Sequence, residues 1–374
     1  MSSLKILVTG GTGFIGSHLV DALVGDGHRV RILDSLADEV HGGVVPPYLN
    51  PEAEFIHGSV CDPDTVASAM DGIDAVFHLA AELGLGRSMY QVRRFVTGND
   101  LGTAVLLEEL IKRKTQIKKL IVASSMSLYG EGPNHCAKCD VITFPALREE
   151  TQLSQKKWEF ECQTCGSILD ALPTPEDKPL NPTSVYAVGK QVQEQYSLII
   201  GRAYGIPTVA FRYFNVYGPR QALSNPYTGA CAIFSSRLLN DESPLIYEDG
   251  DQTRDFVSVH DIVRANLLAL NSSAADYQVL NVGTGRATSI KFIAEVIARG
   301  LGKEIEPDVT EQFREGDIRH CIADISKARN LLGYEPTVTL EDGLTELLEW
   351  VGSQQADDRL HAATAELAAH SLVK

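Results

Sequence analysis

An apolar run, Leu4-Lys-Ile-Leu-Val8, leads straight into Thr9-Gly-Gly-Thr-Gly-Phe-Ile-Gly16 and then into a stretch of helical character from Phe14 to Gly25. A buried strand that stops on glycines and restarts as a helix is the first unit of a parallel sheet. Glycine permits the tight turn and lets the backbone approach a pyrophosphate closely. The free N–H groups and dipole of the helix start favour an anion at that point. Gly10, Gly13, Phe14, Ile15 and Gly16 are therefore candidate dinucleotide contacts.

Strand-like runs at 4–9, 28–34, 53–57, 74–80, 118–124 and 207–213 alternate with helical stretches at 14–25, 62–71, 99–114 and 183–204. That alternation predicts an α/β, doubly wound parallel sheet of the Rossmann type, with helices on both faces. Ligands in such sheets sit at the carboxyl ends of the strands, where Gly10, Asp34, Ala80 and Ser125 fall. Asp34 ends the second strand 18 residues beyond Gly16. A carboxylate there accepts both adenosine ribose hydroxyls and repels a 2′-phosphate, so NAD is expected over NADP.

From Asn215 the pattern turns irregular and rich in Gly and Pro, as a smaller α/β substrate lobe would. The domain reading is a cofactor domain over 1–214 that also receives a helix at about 254–271, a substrate lobe over 215–352, and a tail over 353–374. The tail is polar and Ala-rich, and is expected to be an exposed helix or a frayed end. The net charge of −16 argues against nucleic acid and anionic membranes as partners, so a phosphorylated ligand must meet a local basic cluster. No apolar run reaches the roughly 18 residues that span a bilayer, and the start lacks a signal-peptide core. A cytoplasmic location is expected.

Tyr186 and Lys190 lie four residues apart and share one face of a helix that follows Pro182. An ammonium beside a phenol favours the phenolate, whose ordinary pKa is about 10. Such a tyrosine can take a hydroxyl proton near neutral pH.

Together with the glycine turn, these residues identify a resemblance to the extended short-chain dehydrogenase/reductases, in the branch of NAD-dependent nucleotide-sugar epimerases and dehydratases. His78-Leu-Ala-Ala81, Asn99-Asp-Leu-Gly-Thr103, Ser124-Ser-Met-Ser-Leu-Tyr-Gly130, Arg212-Tyr-Phe-Asn-Val-Tyr-Gly-Pro-Arg220, Arg254-Asp-Phe256, Asn281-Val-Gly-Thr-Gly285 and Arg314-Glu-Gly-Asp317 agree with the family's order of motifs. The resemblance runs from about Leu4 to Trp350. It implies Ser125, Tyr186 and Lys190 as catalytic residues. It adds Ser35, Val60, Leu79, Ala80, Ala81, Asn99 and Phe214 to the NAD contacts, with Ser59 departing from the acidic residue usual before Val60. It implies a nucleotide-diphosphate sugar as substrate, held by Ser125, Asn215, Arg254, Arg314 and Asp317. A homodimer is also implied, with helices 99–114 and 183–204 pairing through a seam that includes Leu106, Leu107, Leu110 and Ile111.

Between Gly130 and Asn181 stands an insertion, 131–180, with Cys136-x2-Cys139 and Cys162-x2-Cys165. Paired CxxC knuckles are what a tetrahedral thiolate zinc site requires. A structural zinc in a ribbon-like lobe is expected, two disulfides being the alternative. Dehydratases of the family carry Asp-Glu after the catalytic Thr, and decarboxylases a Glu at the second of those places. Here Met126 and Ser127 stand there. With no extra acid or base, 4-epimerisation is the chemistry that remains. The insertion and the stretch 212–227 resemble the dTDP-L-rhamnose 4-epimerase type, with UDP-glucose/galactose 4-epimerases next. A non-catalytic NAD-binding scaffold is the reading from a different class.

Overall fold

The computed structural model describes residues 3–374, so the first two residues of the expected cofactor domain lie outside the described residues. Its centre is a sheet of seven strands: β1 (Lys5–Thr9), β2 (Arg29–Asp34), β3 (Glu54–His57), β4 (Ala75–His78), β5 (Lys119–Ser125), β6 (Thr208–Tyr213) and β7 (Gln278–Val282). The order is β7-β6-β5-β4-β1-β2-β3, and every neighbouring pair is parallel. Most of these strands read as near-continuous apolar runs because both faces are covered. On one face Leu19, Val20 and Leu23 of α1 (Phe14–Gly25) pack with Ile262, Ala265 and Ala269 of α4 (Val259–Leu270). On the other, Val105, Leu106 and Leu110 of α2 (Gly102–Lys112) pack with Val66 and Ala69 of the helix Pro63–Ala69. α3 (Val185–Tyr204) lies against β5 and α2.

Several expectations are corrected. The segment expected to return as a helix from 254 is extended through Ser258, and α4 begins only at Val259. β7 follows it as a seventh strand, so the first lobe takes back more chain than expected. The helix expected from Asn99 begins instead with a π-helical turn, Val96–Leu101, which precedes α2. Leu106, Leu107 and Leu110 do not form an outer seam, because they are buried against the sheet. Apolar side chains that do face outward include Val92, Val96 and Leu101 together with Val188, Tyr196, Ile199 and Tyr204 of α3.

The tail is not frayed. It forms α5 (Leu360–Ala369), which buries Ala363 and Leu367, and its last residues pair with the chain at Phe313–Glu315. Two apolar side chains four residues apart give an otherwise polar helix one face to dock.

The substrate lobe has its own core of Tyr217, Phe234, Leu238, Phe256, Ile293, Ile297, Leu344 and Leu347. The insertion carries a small antiparallel sheet of Asn134–Cys136, Val141–Thr143 and Asp170–Ala171. Its exit strand, Pro173–Thr174, pairs with His320–Ala323, which in turn pairs with Thr253–Arg254. Insertion and substrate lobe thus share a sheet. No helix among the described residues is long and apolar enough to cross a membrane.

Candidate active site

The glycine turn lies against the end of β4. Gly10 has φ +73°, and a Cβ there would stand 2.8 Å from the Ala80 nitrogen. A Cβ on Gly16 would stand 2.2 Å from the Gly10 carbonyl oxygen. No side chain fits at either place, which leaves a bare backbone cradle at the start of α1, capped by Gly13. Ile15 is packed into the core beneath it and Phe14 packs edge-on against His18. At the end of β2 the Asp34 carboxylate accepts from the Thr12 and Leu36 N–H groups (3.1 and 2.9 Å), with Ser35 exposed beside it. Val60 packs over Gly102, where a Cβ would lie 2.7 Å from its methyl. Beyond Leu79, Ala80 and Ala81, both amide atoms of buried Asn99 hold the backbone of Glu82. Phe214 leaves β6 beside Tyr129. These residues fit an extended dinucleotide along the carboxyl edge of the sheet.

Ser125 ends β5, and its Oγ accepts from the N–H and hydroxyl of Ser127 (3.1 and 2.9 Å). Ser184 caps α3, and the Tyr186 N–H is held by Ser88 Oγ at 3.0 Å. Lys190 is buried, with Nζ on the Ala123 carbonyl at 2.9 Å. The sequence predicts a lowered tyrosine pKa. Instead burial pushes Tyr186 up to about 12, against a hydrogen bond with Ser125, while burial pushes Lys190 down to about 7. Burial disfavours each charge there.

Asn215, just beyond β6, pairs its backbone with Asp255, and its Oδ1 is buried without a protein partner. Arg314 lies 4.7 Å over the Tyr247 ring and is paired with Asp317 at 2.8 Å. Arg254 directs its Nη atoms at the carbonyls of Thr253, Ile318 and Arg319, and the Asp317 charge supports it. Beneath them lies a buried ionic network that the sequence reading missed. Arg148 of the insertion makes a two-pronged pair with Glu248 (2.9 and 2.8 Å) and reaches the Asp317 carbonyl. Arg319 meets Glu159, Glu248 and Asp249. Glu131, held up to about 7 by burial, accepts from the Arg319 N–H. Arg148 and Glu248 stand 100 residues apart, so no local spacing betrays them.

All four predicted thiols of the insertion meet: the Sγ atoms of Cys136, Cys139, Cys162 and Cys165 lie within 4.8 Å of one another, and none is in a disulfide. The closest approaches are 3.5 and 3.9 Å. A tetrahedron with metal–sulfur bonds of about 2.3 Å has edges of about 3.8 Å, so a zinc ion fits this donor set. Backbone N–H groups of Thr164 and Cys165 lower the Cys162 pKa and the Ser167 side chain lowers that of Cys165, whereas the neighbouring thiols raise that of Cys139.

Residues 6–150 match the model of the NAD dependent epimerase/dehydratase family, and residues 166–347 match that of GDP-mannose 4,6 dehydratase. The dTDP-L-rhamnose 4-epimerase of Burkholderia thailandensis is 36% identical over 360 residues, covering 94% of this chain and 95% of that protein. The chain belongs to the NAD-dependent epimerase/dehydratase family. It is an enzyme of that family, within the extended short-chain dehydrogenase/reductases the sequence resembles. The UDP-glucose 4-epimerase of Mycolicibacterium smegmatis is 34% identical, over 93% of this chain and 98% of its own. Among solved structures, the Thermotoga maritima UDP-glucose 4-epimerase with UDP-glucose is 35% identical with a TM-score of 0.76, covering 93% of this chain and 98% of its own. The Bacillus cereus UDP-glucuronic acid 4-epimerase with UDP-glucuronic acid and NAD is 30% identical with a TM-score of 0.75, covering 93% and 99%.

Proposed function

We propose that this enzyme is an NAD-dependent nucleotide-sugar 4-epimerase, and that dTDP-L-rhamnose is its substrate. The observation that carries the reaction is the company Tyr186 keeps. Its phenol bonds Ser125, whose Oγ also accepts from Ser127, its backbone N–H is held by Ser88, and the two positions where a dehydratase needs an acid and a base hold Met126 and Ser127. A site that can move one proton at one oxygen, and has no second acid or base, supports inversion at that carbon. The dTDP-L-rhamnose reading rests on the four-cysteine insertion and on the Burkholderia relative; UDP-sugar epimerases among the relatives support a UDP-glucose/galactose type as the second reading.

Gly10, Gly13, Phe14, Ile15 and Gly16 would hold the NAD diphosphate, Asp34 and Ser35 the adenosine ribose, and Val60 the adenine. Leu79, Ala80, Ala81, Asn99 and Phe214 would line the rest of the groove. When bound, NAD accepts the C4 hydride and returns it. Tyr186 Oη takes the proton of the C4 hydroxyl and gives it back after the sugar has turned, with Ser125 Oγ bonded to the same oxygen. Lys190, buried one turn along the same helix, would steady the phenolate. Asn215, with its unpartnered Oδ1, orients the sugar; Arg254 and Arg314 grip the diphosphate, and Asp317 takes the nucleoside ribose. Four thiolates leave no open position on a zinc ion, so the metal's part is structural. The outward apolar faces of α3 and the 92–101 segment support a homodimer across those helices.

Purified protein given dTDP-L-rhamnose, UDP-glucose and UDP-galactose should invert C4 of one of them by NMR, and Tyr186→Phe should lose about 10²–10⁴-fold in kcat with NAD still bound. Near-normal turnover in that variant contradicts the proton role. Cys162→Ser should release one zinc per chain by elemental analysis while NAD stays bound; full zinc retention removes the four-thiolate assignment. Light scattering at micromolar protein should give a dimer that Ile199→Asp converts to monomer, and a wild-type monomer rules the pairing out.

A further inference from the structure

We infer that the C-terminal segment 354–374 is a strap that closes the sugar-nucleotide site and retains the ketosugar while it turns. The inference rests on the 4-epimerase reading above. The strap is anchored first on the substrate lobe: the Asp357 N–H donates to Ser224 Oγ at 2.9 Å, Arg237 pairs with Asp358 at 2.8 Å, and Asn240 donates to the Ala356 carbonyl at 2.8 Å. α5 then crosses to the cofactor lobe. Leu367 is buried over Gly86, where an added Cβ would stand 2.8 Å from its methyl. Glu366 accepts from the Tyr227 hydroxyl at 2.9 Å, which meets the Tyr90 hydroxyl at 2.8 Å. The His370 ring stacks on Tyr90 with centroids 4.4 Å apart.

The final residues turn back to the substrate side. Lys374 and Phe313 exchange two backbone hydrogen bonds of 3.0 Å, and the Glu315 N–H donates to the Leu372 carbonyl at 3.0 Å. Arg314 lies between those contacts, paired in register with Val373. Lys374 Nζ also meets Glu150 of the insertion at 2.7 Å.

The two far anchors mark the two ends of the substrate. The first sits on the Leu85–Ser88 helix, whose Ser88 Oγ holds the Tyr186 N–H at 3.0 Å. The second flanks Arg314 and lies close to Asp317. One segment therefore ties the proton-transfer end to the diphosphate end.

A 4-epimerase needs such a cover. Oxidation removes a hydride and a proton from the C4 carbinol, and the ketone must then let go of Tyr186 and Ser125 to show its other face. Between the two steps only the nucleotide end, its diphosphate and ribose, is gripped. A ketosugar that escapes then leaves its hydride and proton on the enzyme. The strap is built to open, since only Ala363 and Leu367 bury its helix while most other anchors are part-exposed hydrogen bonds. Its substrate-lobe anchor serves as the hinge.

The test compares the full chain with truncation after Ser353 and with the double variant Leu367→Ala/His370→Ala, which keeps the chain intact if truncation unfolds it. Calorimetry with dTDP and UDP should show affinity reduced about tenfold or more, with NAD content unchanged. During turnover, borodeuteride trapping should find free 4-ketosugar in the filtrate of the variants and almost none for the wild type. Unchanged nucleotide affinity together with no free ketosugar in a folded variant overturns the strap. The calorimetric arm needs no turnover, so a wild type that epimerises nothing contradicts the 4-epimerase reading separately.

Discussion

One buried pair decides where the chemistry stands. Glu194 of α3 accepts from Arg212 of β6 at 2.9 and 2.6 Å and from the Ser124 hydroxyl of β5 at 2.7 Å, all out of water. The same α3 is held to β5 one turn earlier by Lys190 on the Ala123 carbonyl. The helix that carries Tyr186 is thereby fixed, in rotation and in height, to the strand that carries Ser125. A buried ion pair adds little net stability over an apolar replacement, yet removing one partner costs about 3–5 kcal/mol, a large part of the 5–15 kcal/mol that holds a domain folded. Register is what the pair supplies. Arg212 also donates to the Tyr129 hydroxyl, which donates to Asn281, so three separated motifs meet in one network.

A second network sets the other wall of the cleft. Arg148 and Glu159 belong to the insertion, Glu248, Asp249 and Arg319 to the substrate lobe. Leu153 and Trp158 bury Phe313 next to Arg314. The segment 313–317 therefore takes its shape from the insertion on one side and from the tail on the other. This gives the thiol cluster a part to play at a distance: whatever steadies the insertion steadies Arg314 and Asp317.

The sheet was legible in the sequence because parallel strands buried on both faces leave unbroken apolar runs, and because glycine in a strand-to-helix turn has a steric reason. β7 was harder to read, since Gln278-Val-Leu-Asn-Val282 is short and half polar and gains its place only by pairing with β6. The four cysteines were legible because metal ligands come in knuckles of fixed spacing. The buried arginines were not, because their partners arrive through the fold. Arg254-Asp-Phe256 and Asn281–Gly285 read as family motifs, with Arg254 alone expected at the substrate, and Asp255 accepts from Thr284, Gly285 and Ala323 and so pins the two together. The tail left an exposed helix or a frayed end open, because Ala363 and Leu367 are too few to mark a docked helix until Gly86 stands opposite Leu367.

In the proposed mechanism Tyr186, Ser125 and a retained hydride invert C4 with no other acid or base. A crossover experiment tests it most directly: sugar nucleotide deuterated at C4 is mixed with unlabelled sugar carrying a mass tag elsewhere, and the products are weighed. Deuterium should stay at C4 of the molecule that brought it, in both epimers. Deuterium appearing in the tagged sugar, or lost to water, contradicts it.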